Sequence, residues 1–319
     1  MSDADQTGLD EVVKCPVSGC TLTVDIVLRS SDKVLIGAHQ ANLAQFSEGF
    51  PSSDVVTAPK EPVDLAESGD VLALLVHFMH KCRHPNLANL MKAKPPRKRL
   101  FALAEAAEKY MVYPAMSVCN LRIAERMEDD LLNTFAYATK FDYLDIADKV
   151  APHLIDMNAA LIRRSLAGAH SNVLLAWFCY REQFLEIADA MAADPQELSL
   201  EEVGGLPCTS DVALWRKFRN AVVAALPQTT NDRLGLLGYS VTRKGVGPQF
   251  VTECKVYKSL DLEKTCVSGI CPVRARRWEA ECSQALAEVR PFSTFLSHAA
   301  APSETRNWNW IRIGGTDRR

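Results

Sequence analysis

The feature that most constrains this chain is a change of hydrophobic period near residue 68. Before it, Thr21-Leu-Thr-Val-Asp-Ile-Val-Leu-Arg29 alternates apolar and polar positions as a half-buried strand does. Ser30-Ser-Asp-Lys33 supplies turn formers and Val34-Leu-Ile36 resumes the extended pattern, so the two segments read as a hairpin. Ala38, Leu43 and Phe46 then take helical spacing, and two short extended segments follow at Val55-Val-Thr57 and Pro62-Val-Asp-Leu65. From Ser68 onward the period is helical. Val71, Leu74, Leu75, Phe78 and Met79 recur at i, i+3, i+4, i+7 and i+8, the stripe of a core-facing helix. Leu100, Leu103, Ala107, Tyr110 and Met111 repeat it, and Pro114 opens a third helix buried along Met116, Cys119, Ile123 and Met127. The first 127 residues therefore predict a hairpin-led α+β unit whose later half is helical.

The helical pattern continues from Glu128 to about Ala193. Asp142 and Ser171 are placed as N-caps. Leu131, Phe135 and Ala138 line one helix, Leu144, Ala147 and Val150 a second, and Leu174, Phe178 and Leu185 a longer third. Asp194-Pro195 and Gly204-Gly205 mark a boundary, beyond which Trp215, Phe218, Val222 and Leu226 form another amphipathic helix. Tyr239 to Thr252 is Gly-rich and reads as a loop. The organisation expected is a flexible tail over 1–20, an α+β domain over 21–127, an all-α extension over 128–200 and a helical, cysteine-containing region over 201–319.

With 319 residues, 48% of them hydrophobic, the chain can bury real cores. A net charge of −3 excludes a generally basic nucleic-acid coat but leaves room for a local basic patch. Its apolar runs fall far short of the ~20 residues that span a bilayer. The acidic start Met1-Ser-Asp-Ala-Asp5 lacks the positive charge of a secretory signal. An intracellular protein is expected, cytoplasmic and/or nuclear, with reduced thiols and no membrane partner. Cys82, Cys119 and Cys179 read as small buried hydrophobes.

Zinc takes four thiolate or imidazole ligands in a tetrahedron, usually from knuckles of two cysteines spaced by a few residues. Cys266-Val-Ser-Gly-Ile-Cys271 has that spacing, and with Cys254 and Cys282 it gives a candidate zinc quartet, Cys208 and His298 being nearby in sequence. Cys15-Pro-Val-Ser-Gly-Cys20 has it too, at the opposite end of the chain. The alternative is a set of scattered thiols in a small helical tail.

Several separate motifs in the first 127 residues resemble the BTB/POZ domain. Asp25-Ile-Val-Leu28, Val34-Leu-Ile-Gly-Ala-His39 and Ser47-Glu-Gly-Phe50 resemble its opening, where an aspartate ends the first strand and an Ala-His pair opens the first helix. Leu74-Leu-Val-His-Phe-Met79, Leu103-Ala-Glu-Ala-Ala-Glu-Lys-Tyr110 and Pro114-Ala-Met-Ser-Val-Cys119 are similar to the family's helical hairpins. Trp177-Phe-Cys-Tyr-Arg-Glu-Gln183 is similar to an element of fungal members. The resemblance implies a non-catalytic interaction fold, a homodimer formed through the first strand and first helix, and an adaptor or scaffold role. Gln40 stands where zinc-finger repressors of this family carry Arg or Lys; it can hydrogen-bond Asp25 without neutralising it. Members that bind a cullin carry acid just ahead of the Leu-Ala-x-Ala-Ala helix, whereas Lys94-Pro-Pro-Arg-Lys-Arg99 is basic, so cullin binding is marked down.

Asp25 and His39 are read as a structural hydrogen-bonded pair tying strand to helix. The stretch from Lys81 to Arg99, including Lys94, Arg97, Lys98 and Arg99, holds seven basic residues and no acid. It reads as a solvated loop that could serve as an interaction surface. No aromatic residue interleaves it, which argues against base stacking. The alternative function is a DNA- or chromatin-associated regulator using that loop and a C-terminal zinc site. Phosphate-binding glycine loops, nucleophile elbows and His-Glu-x-x-His are all missing from the sequence, so no enzyme is expected.

Overall fold

The computed structural model describes residues 13–50, 61–87, 98–168, 171–193, 212–236, 262–266 and 268–298. The chain divides into two compact units, Met1–Tyr137 and Ala138–Arg319. The division falls inside the helix Leu131–Lys140, ten residues beyond the sequence-based boundary.

In the first unit, strands β1 (Ile26–Arg29), β2 (Leu35–Ala38) and β3 (Val63–Asp64) form a mixed sheet in the order β2-β1-β3. β1 and β2 pair antiparallel, Ile26 opposite Ala38 and Leu28 opposite Ile36, while β1 and β3 run parallel. This places Ile26, Leu28, Ile36 and Ala38 in the core. The turn between β1 and β2 is held by its side chains. Ser30 Oγ bonds Asp32, Lys33 takes a left-handed φ of 66°, and Asp32 Oδ1 accepts from Gly69 N at 2.9 Å. That last bond satisfies an orphan N–H at the start of helix α2 (Gly69–Phe78), so the hairpin tip also seats the helix.

Helix α1 (Gln40–Phe46) begins two residues later than periodicity suggests. Ala38 is fully buried as the last partner in the β1–β2 ladder, which keeps it extended. The segment Pro62–Leu65 corresponds to β3, and Val55–Thr57 lies outside the described residues. Helices α2, α3 (Lys98–Lys109) and α4 (Tyr113–Glu125) bury Val71, Leu72, Leu75, Phe78, Leu103 and Ile123. Ser47–Phe50 docks onto the end of α3: Ser47 Oγ and Gly49 N both donate to Tyr110 O, and Phe50 stacks on the Tyr110 ring at 4.8 Å. A side chain at position 49 would put its Cβ 2.6 Å from Tyr110 Cα, so this close approach needs glycine.

The remaining described helices are α5 (Leu131–Lys140), which straddles the boundary, then α6 (Leu144–Val150), α7 (Ala159–Ser165), α8 (Ser171–Ala192), α9 (Val212–Ala224), α10 (Thr230–Leu236), α11 (Leu262–Thr265), α12 (Ile270–Ala287) and α13 (Ser293–His298). In the second unit α8 is the hub. It buries Val173, Trp177, Tyr180, Phe184, Ile187 and Met191. The expected line Leu174, Phe178, Leu185 is displaced by about one position. Phe178 is 41% exposed, because the face carrying Trp177, Tyr180 and Phe184 buries more apolar area. Neighbouring segments are fastened to α8 through backbone groups. Arg181 Nε donates to Ile155 O at 2.6 Å, and the Gln183 amide donates to Arg290 O and accepts from Arg290 N. Trp278 Nε1 donates to Ala190 O at 3.3 Å.

Asp142 is not the N-cap expected of it. It has a φ of 59°, its carbonyl accepts from Leu144 N, and Tyr143 precedes the helix. Ser171 is the first residue within α8 rather than its cap. Among the described residues, no helix is long and apolar enough to cross a membrane.

Candidate metal centre

Cys15, Cys20, His39 and His80 bring four metal-ligating atoms within 4.8 Å of one another. They come from three separate parts of the first unit. The residues at 15–20 form a tight turn closed by Cys20 N donating to Val17 O at 3.1 Å, with Gly19 at a φ of +75°. His39 sits between the end of β2 and the start of α1. His80 lies just past α2, at i+4 from Val76 on that helix's buried stripe.

Each imidazole is oriented by its second nitrogen. His39 Nδ1–H donates to Thr23 O at 2.8 Å and His80 Nδ1–H donates to Val76 O at 2.8 Å. Committing both Nδ1 protons to carbonyls leaves both Nε2 atoms as acceptors turned toward the two thiols and fixes their direction, the arrangement that orients metal-bound histidines. His80 Nε2 lies 3.3 Å from Cys15 Sγ and 3.7 Å from Cys20 Sγ, and His39 Nε2 lies 3.2 Å from Cys20 Sγ. Zinc bonds of ~2.3 Å to sulfur and ~2.05 Å to nitrogen at a tetrahedral angle require a sulfur–nitrogen separation of roughly 3.6 Å. The donor spacing therefore fits a single tetrahedral ion.

The burial is graded. His39 and His80 are 3% and 7% exposed, whereas Cys15 and Cys20 are half-buried. Burial holds the His80 imidazole below its ordinary pKa, opposed by the Val76 carbonyl and helped by the charges of His39 and His77. This favours the neutral, ligating form. Burial also pushes the Cys15 thiol up, with the nearby Cys20 and Cys82 adding to it, so a bound cation is what would convert that thiol to thiolate.

The turn is fastened to the sheet as well. Gly37 N donates to Lys14 O at 3.1 Å on the outer edge of β2. A Cβ at Gly37 would come within 2.8 Å of Val24 and 2.9 Å of the Lys14 carbonyl carbon, so both segments lie hard against the strand. Residues 13–20 are thus part of the first unit, not a flexible tail. A groove of about 730 Å³ runs beside them, lined by Val13, Lys14, Cys15, Val17, Cys20 and Leu22.

Other candidate residues lie elsewhere. Asp25 and His39 do not bond each other. Asp25 Oδ1 accepts from the backbone N–H of Gln40 at 2.8 Å and so caps α1, while His39 turns to Thr23 and the cysteines. The quartet Cys254, Cys266, Cys271, Cys282 does not form one site. Cys271 and Cys282 lie on α12 eleven residues apart, about 16 Å along the axis, too far to share an ion. Cys266 and Cys271 do meet, Cys271 N donating to Cys266 Sγ at 3.4 Å, and Cys254 lies outside the described residues. Lys94 and Arg97 also lie outside them. Lys98 is exposed at the start of α3, and Arg99 pairs with Asp70 at 2.7 Å. Of the thiols read as buried, Cys119 is buried, but Cys82 and Cys179 are exposed.

The Cys15–Cys20 knuckle was visible in the sequence; His80 as its partner was not. The available signal was a histidine continuing the buried stripe of α2, which pairs with a knuckle sixty-odd residues away only once the fold is known.

Comparison with protein families, with curated proteins and with solved structures finds no match to this chain.

Proposed function

We propose that this protein is a zinc-stabilised, non-catalytic interaction protein. In this reading the first unit is a BTB/POZ-like domain that pairs with a second copy of the chain, and the helical unit serves it as an adaptor or scaffold surface. The observation that carries the metal part is the convergence of two thiols and two pre-oriented imidazoles at tetrahedral spacing. Four protein donors fill the coordination of zinc and leave no position for substrate, which is the pattern of a structural site. Zinc is the metal best suited to a mixed thiol–imidazole set, since magnesium and calcium prefer oxygen.

The interaction part is supported by the hairpin-led unit whose BTB-like motifs fall on its sheet and helices, with Asp25 capping α1 and Ser47–Phe50 docked on Tyr110. Val34 and Leu35 at the β2 edge are 47% and 45% exposed, apolar surface of the kind a partner covers. Metal analysis of tag-free protein, paired with light scattering, tests both parts. The expected result is one zinc per chain and twice the 35.2 kDa chain mass at micromolar concentration. Protein without zinc would contradict the first part, and a monomer the second.

A further inference from the structure

We infer that the metal centre is also a redox switch, in which a peroxide converts Cys15 and Cys20 to a disulfide, expels the zinc and frees the N-terminal segment from β2. This rests on the zinc reading above. The oxidisable ligands face outward and the inert ones inward. The two imidazoles are buried, whereas both cysteines are half-buried and line the open groove beside the turn. A small oxidant therefore reaches sulfur without opening the core. The two sulfurs already share the six-residue turn 15–20 and lie within 4.8 Å, so joining them needs only a short side-chain movement. Cys119 and Cys282, by contrast, are buried where an oxidant does not reach them, and that burial pushes their thiols up to about 12.

The step balances. One thiolate attacks a peroxide oxygen and becomes a sulfenic acid as the O–O bond breaks; the second thiolate displaces that oxygen as water and forms the S–S bond. Two electrons leave the sulfurs, the peroxide and two protons become two waters, and zinc departs as Zn²⁺ with two of its four ligands gone. His39 and His80 are fixed by Thr23 O and Val76 O and cannot follow the turn. Among the described residues, what then holds the segment to β2 is the Lys14–Gly37 backbone bond beside the buried Val17, and its loss would leave the outer edge of β2 an unpaired strand edge.

The test uses the full chain purified under reducing conditions, with its zinc content measured first. On stoichiometric hydrogen peroxide, the expected result is release of one zinc per chain, a loss of about 2 Da in the metal-free mass, and a Cys15–Cys20 peptide link. Added reductant and zinc should reverse all three. Cys82→Ser should behave identically, since the exposed Cys82 is not one of the joined sulfurs. Zinc retained under peroxide, oxidation confined to Cys82, or release abolished by Cys82→Ser would overturn the switch while leaving the zinc reading intact. Reduced protein lacking zinc at the outset would overturn both.

Discussion

The two units are held in different ways. In the first, residues distant in sequence converge on a small polar centre: a turn at 15–20, the β2–α1 junction and the end of α2 meet at four ligand atoms. In the second, one long helix presents an aromatic stripe, and neighbouring segments are fastened to it by side chains bonding backbone carbonyls and amides. In the first unit the apolar core is carried by α2, α3 and α4, and the polar centre ties the turn at 15–20 to the small sheet and the end of α2. In the second, the 22-residue helix carrying Trp177, Tyr180 and Phe184 supplies the core directly. The difference predicts that the first unit responds to metal and thiol chemistry and the second to core truncation.

The largest effect expected is from removing the metal. Structural zinc contributes on the order of 10 kcal/mol to small domains that depend on it. Chelation, or His39→Ala, should therefore abolish amide-exchange protection in β1, β2 and α2 while leaving α8 and α12 protected. Loss of protection in both units alike would break the contrast. Next comes Trp177→Ala, which empties a fully buried site on α8 and should cost about 3–5 kcal/mol, read by denaturant unfolding of the second unit with zinc content unchanged.

A smaller change is expected from Asp148→Ala. Its carboxylate accepts from both Ser293 N and Ser293 Oγ at 2.7 Å, capping the last described helix, so its removal should cost about 1 kcal/mol and fray α13 in hydrogen exchange. The smallest is a pH effect in the first unit. Burial acts to raise the Glu67 carboxyl, but the Lys109 ammonium and Tyr110 hydroxyl bonded to it win and hold it below its ordinary value. A depressed carboxyl stabilises the fold above the unfolded pKa of about 4.3 and loses that contribution as pH falls through the folded value. Glu67→Gln should therefore be less stable than the parent at pH 7, with the gap closing below about pH 4 in acid-unfolding curves.

How much was legible in the sequence depends on how local each signal is. The hairpin, β3 and the helices α2, α3 and α4 follow from period and turn chemistry and lie close to their expected places, but two ends of the expected stripes do not hold: Met111 is exposed past the end of α3, and Met127 lies beyond α4 and is not buried. The α8 register is displaced because leucine and phenylalanine at 174, 178 and 185 satisfy helical spacing as well as the aromatic set does, and only packing decides between faces. The candidate metal centre divides along the same line. The knuckle at Cys15–Cys20 is local and readable. Its partners are 19 and 65 residues beyond Cys20 and Cys15, so the pairing belongs to tertiary structure. The C-terminal quartet failed for a local reason that helix geometry supplies: placing Cys271 and Cys282 on one helix separates them by three turns. Asp25 and His39 occupy the expected junction, but each bonds a backbone group rather than the other, because the start of α1 offers Asp25 an unpaired N–H.

The central claim is that Cys15, Cys20, His39 and His80 hold one zinc ion. X-ray absorption at the zinc edge of the purified full chain tests it most directly. The account predicts a four-coordinate shell of two sulfurs at about 2.3 Å and two imidazole nitrogens at about 2.05 Å, lost in Cys20→Ser. A shell of oxygen donors, or of four sulfurs, would contradict it.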